Sequence, residues 1–171
     1  MKEQLFIEFE ETTKELFEAL SLFSQEEFNK IPFEGSWTAG QVAEHLFKSE
    51  SNIPTVLKGS SEETKRDVFA NCGIIRKVFL DYTIKMKSPE FILPSGARKD
   101  RDDFIHRFKE TRRELKTQIE TLDLNKTFTN FSFPQMGCLT GWELLCFVVC
   151  HSRRHIRQMK IIAEKLKAVA A

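Results

Sequence analysis

In residues 2–23 the side chains of Leu5, Phe9, Thr12, Leu16, Leu20 and Phe23 recur at steps of three and four. That is the period of one helix face, and the Glu and Lys residues between them fill the other. The same period returns in each long segment that follows, and no other feature constrains the fold as much. A chain whose long segments are all amphipathic at this period must bury helix against helix.

Local punctuation sets the predicted boundaries. The first helix reads over roughly residues 2–29 and is stopped by Pro32 and Gly35. Thr38-Ala39-Gly40-Gln41 is a capping box, in which the Thr hydroxyl and the Gln side chain satisfy each other's backbone donors. It launches a second helix to about Ser51, ahead of Pro54 and Gly59. A third is predicted over about residues 61–87 through Val68, Cys72, Ile75, Phe79, Tyr82 and Met86. Residues 88–99, with Pro89, Pro94 and Gly96, read as a loop. A fourth helix is expected over about residues 100–122 through Phe104, Phe108, Leu115, Ile119 and Leu122. Residues 127–134 alternate polar and apolar, but a lone strand has no sheet to join, so they too read as loop. Thr140-Gly141-Trp142-Glu143 is a second capping box and opens a last helix ending near Lys167. The expectation is an all-α helical bundle, with residues 1–171 forming a single domain.

Composition removes several classes of function. A net charge of +1, from 26 Lys and Arg against 25 Asp and Glu, argues against a nucleic-acid partner. No run of like charge suggests a membrane-surface patch, and no stretch approaches the ~18 apolar residues of a membrane span. The N-terminal residues lack the apolar run of a secretory signal, so a cytoplasmic location is expected. Cys72, Cys138, Cys146 and Cys150 form no CxxC pair and read as thiols packed in the core. Sixteen Phe against one Tyr and two Trp point to a core with few ring hydroxyls to satisfy.

The chemistry is concentrated in four histidines. His151 and His155 lie four apart, which stacks two imidazoles on one helix face. They also fall on the stripe Leu144, Val148, His151, His155, Gln158 and Ile162, where apolar side chains would normally sit. Buried polar rings need partners. On the second helix Thr38, Val42, His45, Ser49 and Asn52 share a face, which brings a third imidazole inward. If both helices start at one end of the bundle, His45, His151 and His155 reach similar depth. Three neutral imidazoles suit Zn, Ni, Cu or Fe and leave a coordination position open for water or substrate. Such a site requires the ring nitrogens to approach within about 4 Å. His106 sits on a charged helix and reads as surface.

At these residues the chain resembles the DinB-like (DinB/YfiT) superfamily of metalloenzymes. The likeness is carried by Ser36-Trp37-Thr38-Ala39-Gly40-Gln41-Val42-Ala43-Glu44-His45-Leu46 and by Gly137-Cys138-Leu139-Thr140-Gly141-Trp142-Glu143. His151-Ser152-Arg153-Arg154-His155-Ile156-Arg157-Gln158 completes it, and the order of elements fits along nearly the whole chain. The resemblance implies a four-helix bundle with a long crossover, in up-down-down-up topology. It implies His45, His151 and His155 as ligands of one divalent metal, Zn or Ni, and a homodimer. It also implies thiol-dependent transfer or isomerisation with a low-molecular-weight thiol, as in characterised members of the superfamily.

Function is therefore expected to be metal-dependent thiol transfer, or hydrolysis, on a small-molecule substrate. The alternative is a non-catalytic helical-bundle dimer whose metal is structural or absent. Zincin-type peptide hydrolysis is disfavoured: Ser152 stands where the Glu of H-E-x-x-H would be, and Glu44 points roughly 100° away from His45. Ser49 and Gln158 are candidates to orient a ligand. Arg154 is expected either to hydrogen-bond across helices or to take an acidic substrate group. Cys146 and Cys150 could add soft ligands but read as packing, and Trp37 and Trp142 read as staples at helix starts.

Overall fold

The computed structural model describes residues 1–170, with side chains through residue 168. It is mostly helical: α1 (Lys2–Leu20), α2 (Ala39–Glu50), the short α3 (Ile53–Leu57), α4 (Cys72–Leu80), α5 (Arg101–Thr121) and α6 (Gly141–Ala170). No described helix is long and apolar enough to cross a membrane.

Both predicted capping boxes form. The Thr38 hydroxyl accepts from the Gln41 amide at 3.1 Å, and the Gln41 side chain takes the Thr38 amide at 3.0 Å. Thr140 and Glu143 repeat this at the start of α6, at 3.1 and 3.0 Å. Asp100 caps α5 by accepting from the amides of Asp102 and Asp103, and the predicted fourth helix holds to within a residue at each end.

Two predicted helices are shorter than their periodicity suggested. α1 stops at Leu20 rather than near residue 29. Ser24 and Glu27 exchange side-chain bonds with each other's amides, which starts a separate 3₁₀ turn at Glu27–Asn29 and lets Phe23 and Phe28 turn inward. The third helix, expected over 61–87, survives only as α4. Upstream, the chain is drawn off the helical path by bonds to distant residues. Ser61–Glu62 (β1) pairs antiparallel with Thr127–Phe128 (β2), so the segment read as loop at 127–134 begins with a short strand. The Thr64 hydroxyl donates to the Asn125 carbonyl, while Arg66 and the Asn71 amide both reach the Glu143 carboxylate. Downstream, Asp81 accepts from the amide and hydroxyl of Thr83, closing a turn.

The apolar interior falls into two clusters along α6. One gathers Leu5 and Phe9 of α1, Ile75 and Phe79 of α4, Leu115 of α5 and residues 144–150 of α6. The other gathers Leu16 and Leu20 of α1, Val42 and Leu46 of α2, Phe108 of α5 and Ile156, Met159 and Ile162 of α6. Between them runs a layer of buried polar residues: Thr12, Glu50, Arg112 and Ser152, with His151 and His155 on the same turns of α6. At roughly 1.5–3 kcal/mol for each large buried apolar side chain, the flanking clusters stabilise the elements that hold this layer in place.

Candidate metal centre

α2, fixed at its start by the capping box, delivers His45; one turn of α6 delivers His151 and His155. All three are buried, at 3%, 4% and 7% exposure. Ring centroids lie 5.2 Å apart for His45 and His151, 4.7 Å for His45 and His155, and 4.5 Å for His151 and His155. One ring nitrogen of each falls within 4.8 Å of the others, and the three could hold a metal ion. The Nε2 atoms of His151 and His155 are 3.1 Å apart. Two nitrogens bound at ~2.0–2.1 Å in tetrahedral geometry would stand about 3.4 Å apart, so that pair needs only a small adjustment.

The hydrogen bonds around the rings choose the tautomers. His45 Nδ1 lies 3.0 Å from the Ile92 carbonyl, which only accepts, so Nδ1 carries the proton and Nε2 a lone pair. His155 Nδ1 meets the Gln158 side-chain oxygen at 2.9 Å, with the same result. His151 Nδ1 is buried without a hydrogen-bond partner among the described residues. Its ring is sleeved by Phe147, stacked at 5.0 Å, and by the edge of Phe79 at 5.4 Å. With His155 protonated at Nδ1, His151 Nε2–H donates to the His155 Nε2 lone pair, which leaves His151 Nδ1 as the buried atom without a partner among the described residues. A cation in place of that proton would be held by the Nε2 lone pairs. The donor set therefore fits a divalent cation.

Protonation agrees. Burial pushes His155 down to about 3, with His45 adding to the shift and Gln158 opposing it. Burial also lowers His151 well below the usual range, reinforced by the two neighbouring histidines, and lowers His45. At neutral pH all three are neutral imidazoles, the form that ligates metal.

The other expected residues have definite places. The Gln158 oxygen holds His155, as described, and the Ser49 hydroxyl donates to the His45 carbonyl at 2.8 Å. Arg154 bridges between elements: its guanidinium donates to the backbone carbonyls of Phe79, Asp81 and Ile84. Glu44 is turned away and held by Lys99 at 2.7 Å and Lys48 at 3.0 Å. Burial would raise its pKa, but those two cations and the Ser95 amide overcome this and bring it to about 2. Cys72, Cys146 and Cys150 are packed in the apolar cluster and stand outside the histidine group. His106 is exposed, with Glu110 at 3.9 Å. Trp142 is a staple, buried with its indole N–H 3.3 Å from the Asn125 side chain. Trp37 packs against the second apolar cluster, and its ring also lies 5.3 Å from that of His45 and lines the cavity beside it.

Sequence reading missed the ionic network in the same polar layer. Arg112 donates to Glu50 and, at 2.6 Å, to Ser152, whose hydroxyl donates to the other Glu50 oxygen. Burial raises the Glu50 pKa, opposed by Arg112 and Ser152. A signal existed: Arg112 sits four residues after Phe108 and three before Leu115, on the apolar stripe of its helix.

A cavity of about 1160 Å³ opens over the histidines. Phe79, Phe133 and Phe147 form apolar walls, and Trp37, Ser49, Arg154 and Gln158 also line it. The size and the mixture of apolar walls with a few convergent polar groups are those of a small-molecule site.

A helical fold that converges three neutral imidazoles beneath a cavity defines the class, and sequence comparison supplies the family. The DinB superfamily model matches residues 8–159, and the chain belongs to that superfamily. It is also similar to the uncharacterized protein YuaE of Bacillus subtilis (strain 168), 25% identical over 164 residues, covering 93% of this chain and 97% of that protein. No solved structure matches the chain significantly.

Proposed function

We propose that His45, His151 and His155 bind one divalent cation, zinc or nickel, through Nε2. In this reading the protein is a metal-dependent enzyme acting on a small molecule, by transfer of a low-molecular-weight thiol to an electrophile or by hydrolysis. The observation that carries the reading is the pair of Nδ1 contacts to Ile92 and Gln158, which turn two Nε2 lone pairs toward the third ring. Three protein ligands leave a position open, whereas structural zinc sites are normally closed by four. A bound divalent ion supplies Lewis acidity, which lowers the pKa of a thiol or water within its reach.

The protein's own contributions follow from the geometry. Ile92 and Gln158 keep the ligand tautomers fixed. Phe79 and Phe147 keep bulk water away from His151. Glu44, bound to two lysines, is removed from the role of base, and among the described residues no Asp or Glu lines the cavity. A reaction that generates a thiolate needs no carboxylate base beside the ligands, which favours thiol transfer over peptide-bond hydrolysis. The scaffold is best read as a four-helix bundle of α1, α2, α5 and α6, with residues 51–100 as the long crossover.

Elemental analysis of purified wild type and His151→Ala tests the reading. About one equivalent of zinc or nickel in wild type, lost in the variant, is expected; no stoichiometric metal in wild type would falsify it. Incubating the metal-loaded protein with low-molecular-weight thiols and a chromogenic electrophile then separates transfer from hydrolysis.

A further inference from the structure

The cavity lining is electrically one-sided. Lys48, Lys85, Lys87, Arg154 and Arg157 contribute to it, and among the described residues not one Asp or Glu does. In a chain of 26 basic and 25 acidic residues, that asymmetry belongs to the site and not to the composition. Most of these cations also lack a counter-charge. Lys48 has Glu44, but Lys85, Lys87, Arg154 and Arg157 form no ion pair among the described residues. Arg154 is spent on carbonyls, which leaves its charge unneutralised. Arg157 lies over the Tyr82 ring at 4.7 Å.

Arrangement strengthens the point. The segment after α4 bears Lys85 and Lys87 along the cavity, and Arg154 ties down its beginning through the Asp81 and Ile84 carbonyls. Lys85, Lys87 and Arg157 are exposed, whereas Phe79 and His151 are buried. Charge thus lies at the opening, interspersed with exposed apolar residues such as Phe33, Met86 and Phe91, and buried apolar surface lies within. Like-signed clefts with low-dielectric walls concentrate the opposite charge.

We infer that the cavity takes an apolar small molecule bearing an acid group, the acid held at the rim by Lys85, Lys87 and Arg157 and the apolar body against Phe79, Phe133 and Phe147. This rests on the cavity being the substrate site, as proposed above. Two fluorescent probes of similar shape test it: anionic 8-anilinonaphthalene-1-sulfonate and neutral N-phenyl-1-naphthylamine. The binding titrations use both metal-stripped and zinc-loaded protein, and metal content is measured on the same samples. A failed metal reading would appear in the stoichiometry and leave the probe preference to be judged by itself.

Rim ion pairs are individually weak, so their joint effect is set at about tenfold tighter binding of the anion, falling with added salt. The triple variant Lys85→Gln, Lys87→Gln, Arg157→Gln should lose that preference while binding the neutral probe as wild type does, which also shows that the cavity has folded. A control with Lys14→Gln, Lys109→Gln and Arg113→Gln, all outside the lining, should keep it. Equal affinity for the two probes in wild type overturns the inference, as does a preference that survives the rim variant or disappears in the control. Co-sedimentation with phosphatidylglycerol vesicles without saturable binding of the soluble anion also overturns it, in favour of a membrane surface.

Discussion

Two polar clusters share the layer between the apolar cores, and they are solved in opposite ways. In the Glu50–Arg112–Ser152 network the carboxylate meets a guanidinium and a hydroxyl, and the charges cancel inside the protein. In the histidine cluster Nδ1 of His45 and His155 is satisfied and the two Nε2 atoms of α6 share one proton, but His151 Nδ1 has no partner among the described residues. The first network balances its own charges, although Arg112 Nε has no partner among the described residues. The histidine cluster keeps acceptor nitrogens that could hold a metal ion. Helices α2 and α6 contribute to both clusters, with α5 adding Arg112 to the first, so neighbouring turns hold an ionic network and a group of convergent imidazoles.

The sharpest way to break the comparison is to open the closed cluster. Arg112→Met leaves Glu50 buried without its partner and should cost about 3–5 kcal/mol, read as a lowered denaturation midpoint. Replacing Glu50 by Gln in the same chain should recover part of that loss; no recovery would show that Arg112 acts through packing alone.

The reverse experiment closes the open cluster. At a zinc concentration about 100 times its dissociation constant, wild type should gain about 2.7 kcal/mol. His151→Ala should gain far less. Equal stabilisation of both would place zinc elsewhere.

Gln158 tests whether the outer bond tunes the inner one. Gln158→Leu removes the acceptor that fixes His155 and should weaken metal binding about 10–100-fold with little change in the fold. Unchanged affinity in competition with a chelating dye would remove Gln158 from the site.

Glu143 extends the contrast to pH. Burial would raise its pKa, but Arg66 and the Thr140 and Asn71 amides outweigh this and lower it. A depressed folded-state pKa stabilises above the unfolded value of 4.5 and loses that contribution as pH falls below it. Glu143→Gln should therefore cost about 1–3 kcal/mol at pH 7, and the gap from wild type should narrow in acid. A gap independent of pH would contradict the ionic account. The smallest effect is expected at Ser49→Ala, within about 0.5 kcal/mol, because its hydroxyl only doubles a bond within its own helix.

The histidine site was legible because its cues are short-range. Step-of-three-and-four phasing and two capping boxes orient His45, His151 and His155 from neighbours within a few residues, and the family blocks surround the same positions. The first-helix boundary was also locally encoded, by the Ser24 and Glu27 exchange, but the periodicity of Leu20 and Phe23 runs across it. The segment at 61–87 was not legible in this way. Its helical phasing is real, yet Glu143, Asn125 and β2 lie more than sixty residues away and take its backbone and side-chain bonds for themselves. Arg112 stood in plain view on its stripe, but its partners are on two other helices. Trp37 sits at a helix start, and only the third dimension puts it beside His45.

Arg154 lies between the two histidines of α6 and grips the segment that carries Lys85 and Lys87. The turn that presents His151 and His155 therefore also anchors the segment along the cavity opening. A small rotation of α6 would move the floor and the threshold of the cavity together. The histidine cluster and the edge of the cavity are thus geared to a single helical turn.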